Sequence, residues 1–394
     1  MKALDWKNSD PFRMLGLLLV MITIALASTG AIHHHNNNFL IFKSSFDHLM
    51  HGVNLYDPYP DEHFSLFKYG PPFALLMAPF ARMPVVLGSV VWSLISVAFL
   101  LYALSRTPID DKKKFWALLI LVPAFIGSVQ SFQSNMLVAS LALLAWTFLE
   151  EKKVMWACLI IALLTLIKVF GGLLFLLLLF DDYRSETGGY FGASVKAMFA
   201  VVVLAALPIF VVGFDQAVAQ YHNWLNLLQA DHVAERDTGL GYSLMGVLGL
   251  FIPNLNPTGI QVGGLSLCVA VLIWRRSADQ RVRWVAFVSL MYFFVVFNHK
   301  SESPTFIIPM LAFALDYVKW QGDKKWRYAG LAFTLIFTSY FSSDLCPLWL
   351  RTELSHYALK VWPFLVLWPL CLYRIIAEEK ERSPVELIHP VVVR

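Results

Sequence analysis

Residues 115–149 read FWALLILVPAFIGSVQSFQSNMLVASLALLAWTFL. Two apolar runs, 115–128 and 134–149, flank a short polar tip that carries Gln133 and Asn135. Each run is shorter than the roughly 20 residues of a full membrane crossing. The pair therefore reads as a helical hairpin whose tip stops below a membrane surface. Non-helical backbone at that depth is tolerated only where protein or a wet cavity satisfies it. The pattern recurs immediately in 155–168 and 169–180, with Lys168 at the tip.

Working outward, further apolar segments fall at 13–32, 85–104, 194–213, 258–274, 284–297, 303–318, 328–343 and 356–374. With the two hairpins they predict an all-α polytopic membrane protein of about twelve transmembrane helices, read as one integral membrane domain over 1–394. Composition agrees: 58% of residues are hydrophobic and 15% charged, with a mean hydropathy of +0.62. These values exclude an ordinary soluble enzyme. The stretch after Arg13 has signal-peptide features, with Ala25-Leu26-Ala27 as a cleavage site, but a retained first helix is the favoured reading. Four cysteines without a CxxC pair support neither a disulfide framework nor a zinc site.

Alternating the crossings sorts the turns into two kinds. One side carries Arg106 to Lys114, Arg275-Arg276 with Arg281 and Arg283, and Lys319 with Lys324, Lys325 and Arg327. Such short basic turns are expected in the cytoplasm, as are both termini. They also account for the net charge of +4 without a nucleic-acid partner. The other side reads HHHNNN, DPYPDEHFSLFKYGPP, QSFQSN, IKVF and NHKSESPT. Polar groups near membrane depth are costly unless they line a site, so this extracytoplasmic face is expected to do the work.

Two outer loops, 33–84 and 214–257, are large. The first opens with an amphipathic helix bearing Phe39, Phe42, Phe46, Leu49 and Val53, expected to lie in the outer interface with Lys43, Asp47 and His48 towards water. The second contains the amphipathic FDQAVAQYHNWLNLL. Tryptophans at 92, 116, 156, 224, 274, 284, 320, 326, 349 and 362 are expected mostly in interfacial belts.

No GxGxxG, GxxxxGK[ST] or DxD motif is present. Asp181-Asp182 is expected to be a solvated cytoplasmic helix end. His33-His34-His35 is expected to be interfacial, because consecutive residues point in different directions on a helix. The remaining outer-face groups suit an anionic lipid-linked substrate, without a metal. Lys68, Lys168, His299 and Lys300 are candidate phosphate partners, with His63 and Tyr69 beside them. Gln133 and Asn135 can hydrogen-bond sugar hydroxyls, and Asp57, Asp61, Glu62 and Glu302 are candidate bases.

The order of these pieces resembles glycosyltransferase family 87, the polyprenyl-phosphate-sugar-dependent membrane enzymes with the C-type fold. The resemblance is carried by NNFLIFKSSFDHLMHGVNLYDPY, KYGPPFALLMAPFARMP, SFQSNMLVASLALLAW, LLTLIKVFGGLLFLLLLF and NHKSESPTFIIPM. It implies a first outer loop with a catalytic acid and a Tyr-Pro-Pro element, and hairpins that bring Gln-Ser-Asn and a Lys towards the donor phosphate. One departure stands out. The family's usual aspartate falls here on Asn38, whose amide cannot act as a base.

The resemblance implies a transferase of the bacterial inner membrane. It would move a hexose, with mannose the leading candidate, from a polyprenyl-phosphate donor to a lipid or glycan acceptor with inversion and without a cofactor. The alternative is a non-catalytic lipid-linked-sugar binder or translocase on the same fold, which Asn38 keeps open. Midplane sites and inverted repeats, expected of a solute transporter, are not seen in the sequence. Among the candidate bases Glu62 ranks first and Glu302 second, with Asn38 as a hydrogen-bonding group for the acceptor hydroxyl.

Overall fold

The structure is a computed structural model and describes residues 10–238, 241–252, 255–276, 279–298, 301–320 and 322–377. Every regular element among them is helical. The chain starts with α1 (Pro11–Ile32), α2 (Asn37–Met50), the short α3 (Pro71–Leu76) and α4 (Ala78–Ala81), then α5 (Val85–Arg106) and α6 (Asp111–Ser131). Next come α7 (Asn135–Glu150), α8 (Val154–Ile167), a 3-10 helix over Val169–Leu179, α9 (Asp181–Arg184) and α10 (Gly189–Val212). The second half holds α11 (Phe214–Thr238), α12 (Leu244–Gly249), α13 (Pro257–Trp274) and α14 (Gln280–Val296). It ends with α15 (Ile307–Lys319), α16 (Lys324–Leu335), α17 (Leu348–Ser355) and α18 (Trp362–Ala377).

Six helices among the described residues are long and apolar enough to cross a membrane: α1, α5, α6, α10, α13 and Leu359–Ala377. All twelve segments expected as crossings are helical, but the other six are shorter. Several of these are core elements. In α14 every residue from Val282 to Val296 is buried, and α7 and α15 are enclosed over most of their length. A helix that is apolar all round belongs inside a bundle. By contrast, α10 turns Phe191, Met198, Phe199 and Phe210 outward, as a lipid-facing helix does. The first helix packs on α5 and α6 and adds Phe12, Leu19 and Ala27 to the core.

The two hairpins differ from expectation in instructive ways. The first arm of the leading one is 21 residues long, since α6 begins at Asp111. Asp110 caps it, its carboxylate accepting from the Lys113 amide at 2.9 Å. In the second hairpin, the segment expected as 169–180 is a 3-10 helix of 11 residues. At a rise of about 2.0 Å per residue it spans about 22 Å, against about 16 Å for an α-helix of that length. Gly171 permits the tight return, because a Cβ there would lie 2.7 Å from the Leu164 carbonyl oxygen.

The apolar face of α2 packs on protein, where a membrane-interface position was expected. Phe39 meets Phe80 at 5.9 Å and Phe42 meets Trp92 at 5.4 Å. Val53 lies beyond the helix end and is exposed, while His48 is buried. The tryptophans divide likewise. Trp116, Trp156, Trp274, Trp326 and Trp349 are exposed, but Trp92, Trp224 and Trp284 are buried. A buried indole N–H needs an acceptor, and these three find Phe132 O at 3.0 Å, Lys68 O at 3.2 Å and Asp316 Oδ1 at 3.1 Å.

The end of the bundle bearing the basic turns is not chemically plain. Arg283 forks onto Glu150, with Nε 3.1 Å from Oε1, and its Nη2 lies 3.0 Å from Asp182 Oδ2. Lys152 also pairs with Asp182, and Tyr183 donates to Glu150. Asp181 and Asp182 open α9 with half-exposed side chains, so the helix end is solvated as expected, but Asp182 also joins an interhelical ion network and Asp181 pairs with Arg184. Beside this network Arg374 meets Asp316 at 2.6 Å. Lys319 lies 3.6 Å over the Trp284 ring, a cation–π contact.

Candidate functional site

The opposite end of the bundle is where α6, α8 and α14 finish and α7, α15 and α18 begin. Its geometry starts at Phe132, which takes the left-handed conformation (φ 55°) between α6 and α7. That conformation is unfavourable for a bulky residue and persists only where its surroundings hold it. Here the ring is buried and the carbonyl accepts the Trp92 indole N–H. Gly30 makes room, because a Cβ on it would come within 3.0 Å of the Phe132 ring. The turn is therefore fixed, and Gln133, Ser134 and Asn135 project from it.

A chain of polar contacts leaves this turn. Lys168 at the tip of the second hairpin donates to Asn135 Oδ1 at 2.6 Å. Asn135 Nδ2 donates to Gln133 Oε1, and Gln133 Nε2 donates to Glu302 Oε2 at 2.7 Å. Four expected site residues, from three separate parts of the chain, thus form one network. Glu302 is exposed, Lys168 and Gln133 are half-buried and Asn135 is buried. The carboxylate is close enough to act electrostatically on both Lys168 and Tyr69.

Tyr69 joins from the loop over 33–84. Its hydroxyl accepts from Ser134 Oγ at 3.3 Å, its ring stacks on Phe73 at 4.5 Å, and its carbonyl accepts from the Tyr56 hydroxyl at 3.0 Å. Burial pushes its phenol up to about 12, so it stays neutral near pH 7. The next residue ties this loop to the hairpin: Gly70 N donates to Leu166 O at 2.8 Å. A Cβ on Gly70 would lie 2.7 Å from that same oxygen, so only glycine allows the approach. Lys68 is exposed, with its carbonyl held by Trp224. Asn38 lies at the same turn and donates to Ser131 O at 2.8 Å. Tyr242, from the loop over 214–257, also reaches this end, where its N donates to Ser301 O at 2.9 Å.

Glu62 and His63 belong to a different cluster. Glu62 Oε2 is 3.1 Å from His48 Nε2, and the His48 ring stacks on Tyr59 at 3.9 Å. His48 lies ten positions along α2 from Asn38, roughly 15 Å of helical rise. Asp57 accepts from Asn54, also in the first loop, and Asp61 is exposed. His299 and Lys300 lie outside the described residues. His33, His34 and His35 are exposed. No group of three His, Cys, Asp or Glu side chains able to hold a metal ion occurs among the described residues. All four cysteines are free and buried.

His63 gives this loop a pH dependence. Burial, opposed by the charge of Glu62, holds its imidazole below the ordinary value of 6.5. Between the lowered value and 6.5 the unfolded chain binds more protons than the folded one, so stability rises with pH. The contribution is complete above about 6.5 and is lost as pH falls below it. The melting temperature is expected to drop between about pH 7 and pH 5, and His63→Gln should flatten that slope. An unchanged slope in the variant would refute the assignment.

A model of glycosyltransferase family 87 matches residues 67–298. That is more than half of the chain. The chain belongs to this family. It is a membrane glycosyltransferase. No curated protein matches the chain. The family match takes in Lys68, Tyr69, Gln133, Asn135 and Lys168, while Asn38, Glu62 and Glu302 lie outside the matched residues. Within this glycosyltransferase, several residues beyond the sequence reading take part in the same end of the bundle. Ser134 and Ser131 sit in the quoted tip, but their roles depend on the Phe132 turn. Lys360 was also missed. It stands in HYALKVWPF, a lysine next to the last apolar helix. The criterion that singled out Lys168 applies equally to it.

Proposed function

We propose that this membrane glycosyltransferase moves a hexose, mannose first among candidates, from a polyprenyl-phosphate donor to a lipid or glycan hydroxyl. The reaction is assigned to the extracytoplasmic face of a bacterial inner membrane. The observation that carries the reading is the Lys168–Asn135–Gln133–Glu302 network. It sets a cation, two amides and a carboxylate side by side at one end of the bundle. Those are the groups needed to hold a phosphate, grip sugar hydroxyls and remove a proton.

Glu302 is the favoured base, ahead of Glu62. Gln133 fixes one carboxylate oxygen and leaves the other to take a proton from the acceptor hydroxyl. Glu62 is instead engaged by His48. In the reaction the acceptor oxygen forms a bond to the anomeric carbon while the bond from that carbon to the phosphate oxygen breaks. The electron pair leaves with the lipid phosphate and the proton goes to Glu302. Attack opposite the leaving group inverts the anomeric carbon. Positive charge near the departing phosphate stabilises it, with Lys168 and Lys68 among the described cations and His299 and Lys300 as further candidates. The phosphate itself carries the leaving charge, so the scheme calls on no metal. Asn38 orients the acceptor as a hydrogen-bonding group.

The deciding experiment uses full-length protein in vesicles with a labelled polyprenyl-phosphate hexose. Label passing to an acceptor, with release of polyprenyl phosphate, supports transfer. Binding or vesicle crossing of intact donor without cleavage would replace the transferase by the binder or translocase.

A further inference from the structure

The network around Glu302 continues on its other side. Ser303, the next residue, has its hydroxyl 2.6 Å from Lys360 Nζ, and Ser342 Oγ lies 3.3 Å from the same nitrogen. The Phe306 ring lies 5.4 Å from it. Lys360 is half-buried in the short turn Leu359–Val361 that leads into α18. Ala358 before it is in the left-handed region (φ 49°) and buried, so packing fixes where the lysine stands.

The distribution of charge distinguishes the cations at this end. Lys168 shares its surroundings with the Glu302 carboxylate. Lys43 is engaged with the Ala81 carbonyl at 2.9 Å, away from the Glu302 network. Lys360 meets only two hydroxyls and an aromatic face, with no carboxylate partner among the described residues. An anion beside a half-buried ammonium would offset the hydration that the charge has lost. Two serine hydroxyls beside it can donate to that anion's remaining oxygens.

We propose that Lys360, Ser303 and Ser342 form a phosphate-holding cluster that grips the phosphate of the polyprenyl donor next to Glu302. This rests on the transferase reading for the identity of the lipid, but not for the anion site itself. Segment 301–306 then lies between two holds, Gln133 on the Glu302 side and Lys360 on the Ser303 side. The base and the leaving phosphate would thereby be positioned by neighbouring residues of one short segment.

The test is binding of a polyprenyl phosphate, the matching polyprenol and inorganic phosphate to full-length wild type, Lys360→Met, Lys360→Arg and Ser342→Ala. Loss of a charge-assisted contact is expected to weaken polyprenyl-phosphate binding by about tenfold or more in Lys360→Met. Polyprenol binding should be unchanged, and Lys360→Arg should keep most of the preference for phosphate. Ser342→Ala should lose a few-fold and serves if Lys360→Met does not fold. Equal phosphate preference in folded Lys360→Met, or in Ser342→Ala where the former is unfolded, overturns the proposal. Dependence of inorganic phosphate alone on Lys360 would assign the cluster to a free anion and overturn the donor part. A protein that binds the lipid phosphate through Lys360 yet transfers no sugar supports the cluster while refuting the transferase reading.

Discussion

Replacing Glu302 with Gln is expected to lower sugar transfer by about 10²–10⁴-fold, the range for loss of a positioned general base. The amide keeps the shape of the carboxylate and can still accept from Gln133, so the network and the fold should survive. Donor binding is therefore expected to stay near wild type, and the loss should fall on turnover. Glu62→Gln is the informative comparison. It removes the charge from the contact with His48, 3.1 Å away, but leaves the Lys168–Asn135–Gln133 chain intact. Its transfer rate should remain close to that of the parent. The reverse outcome, an inactive Glu62→Gln and an active Glu302→Gln, would move the base to Glu62.

The largest effect on stability is expected at the other end of the bundle. Arg283 and Glu150 have side chains only 10% and 9% exposed, and Arg283 also reaches Asp182. Arg283→Met would leave Glu150 buried without its cation. Breaking a buried pair from one side costs about 3–5 kcal/mol. The measurement is cooperative unfolding in mixed micelles, and a change below about 1 kcal/mol would show that the pair is not under this constraint. Because Glu150, Arg283, Asp182, Lys152 and Tyr183 share one network, Glu150→Gln combined with Arg283→Met should cost less than the sum of the single changes. Donor chemistry at the far end should change little in proteins that remain folded.

How far these effects were visible beforehand differs from residue to residue. Gln133, Asn135, Lys168 and Glu302 stood out in the sequence because each interrupts apolar chain near a helix end. Hydropathy is a local property, and in a bilayer the backbone must satisfy itself within each helix. Local pattern therefore found helical chain at each of the expected crossings and the polar tips between them. The count of crossings was less legible. Segments such as Gln280–Val296 and Ile307–Lys319 are apolar because other helices enclose them, and a short buried helix carries the same local signature as a short span.

Position within the tertiary structure decided the rest. Gln133 and Glu302 are 169 residues apart in the chain, and nothing in either segment specifies that they meet. Their contact depends on the left-handed turn at Phe132, held by Trp92 from another helix. The same reason separates Glu62 from Glu302: both are exposed acids between helices, and only packing gives one His48 and the other Gln133. His48 itself was expected to face water, until the approach of residues 59–63 buried it. Lys360 looked like an ordinary lysine beside a membrane helix, and Asp182 like an ordinary helix end. Sequence determined that this chain is a helical membrane protein with its polar chemistry at helix ends. Which of those polar groups face one another was set by long-range packing, because a hydrogen bond between distant segments is specified by the shapes of the helices that bring them together and not by the residues around either partner.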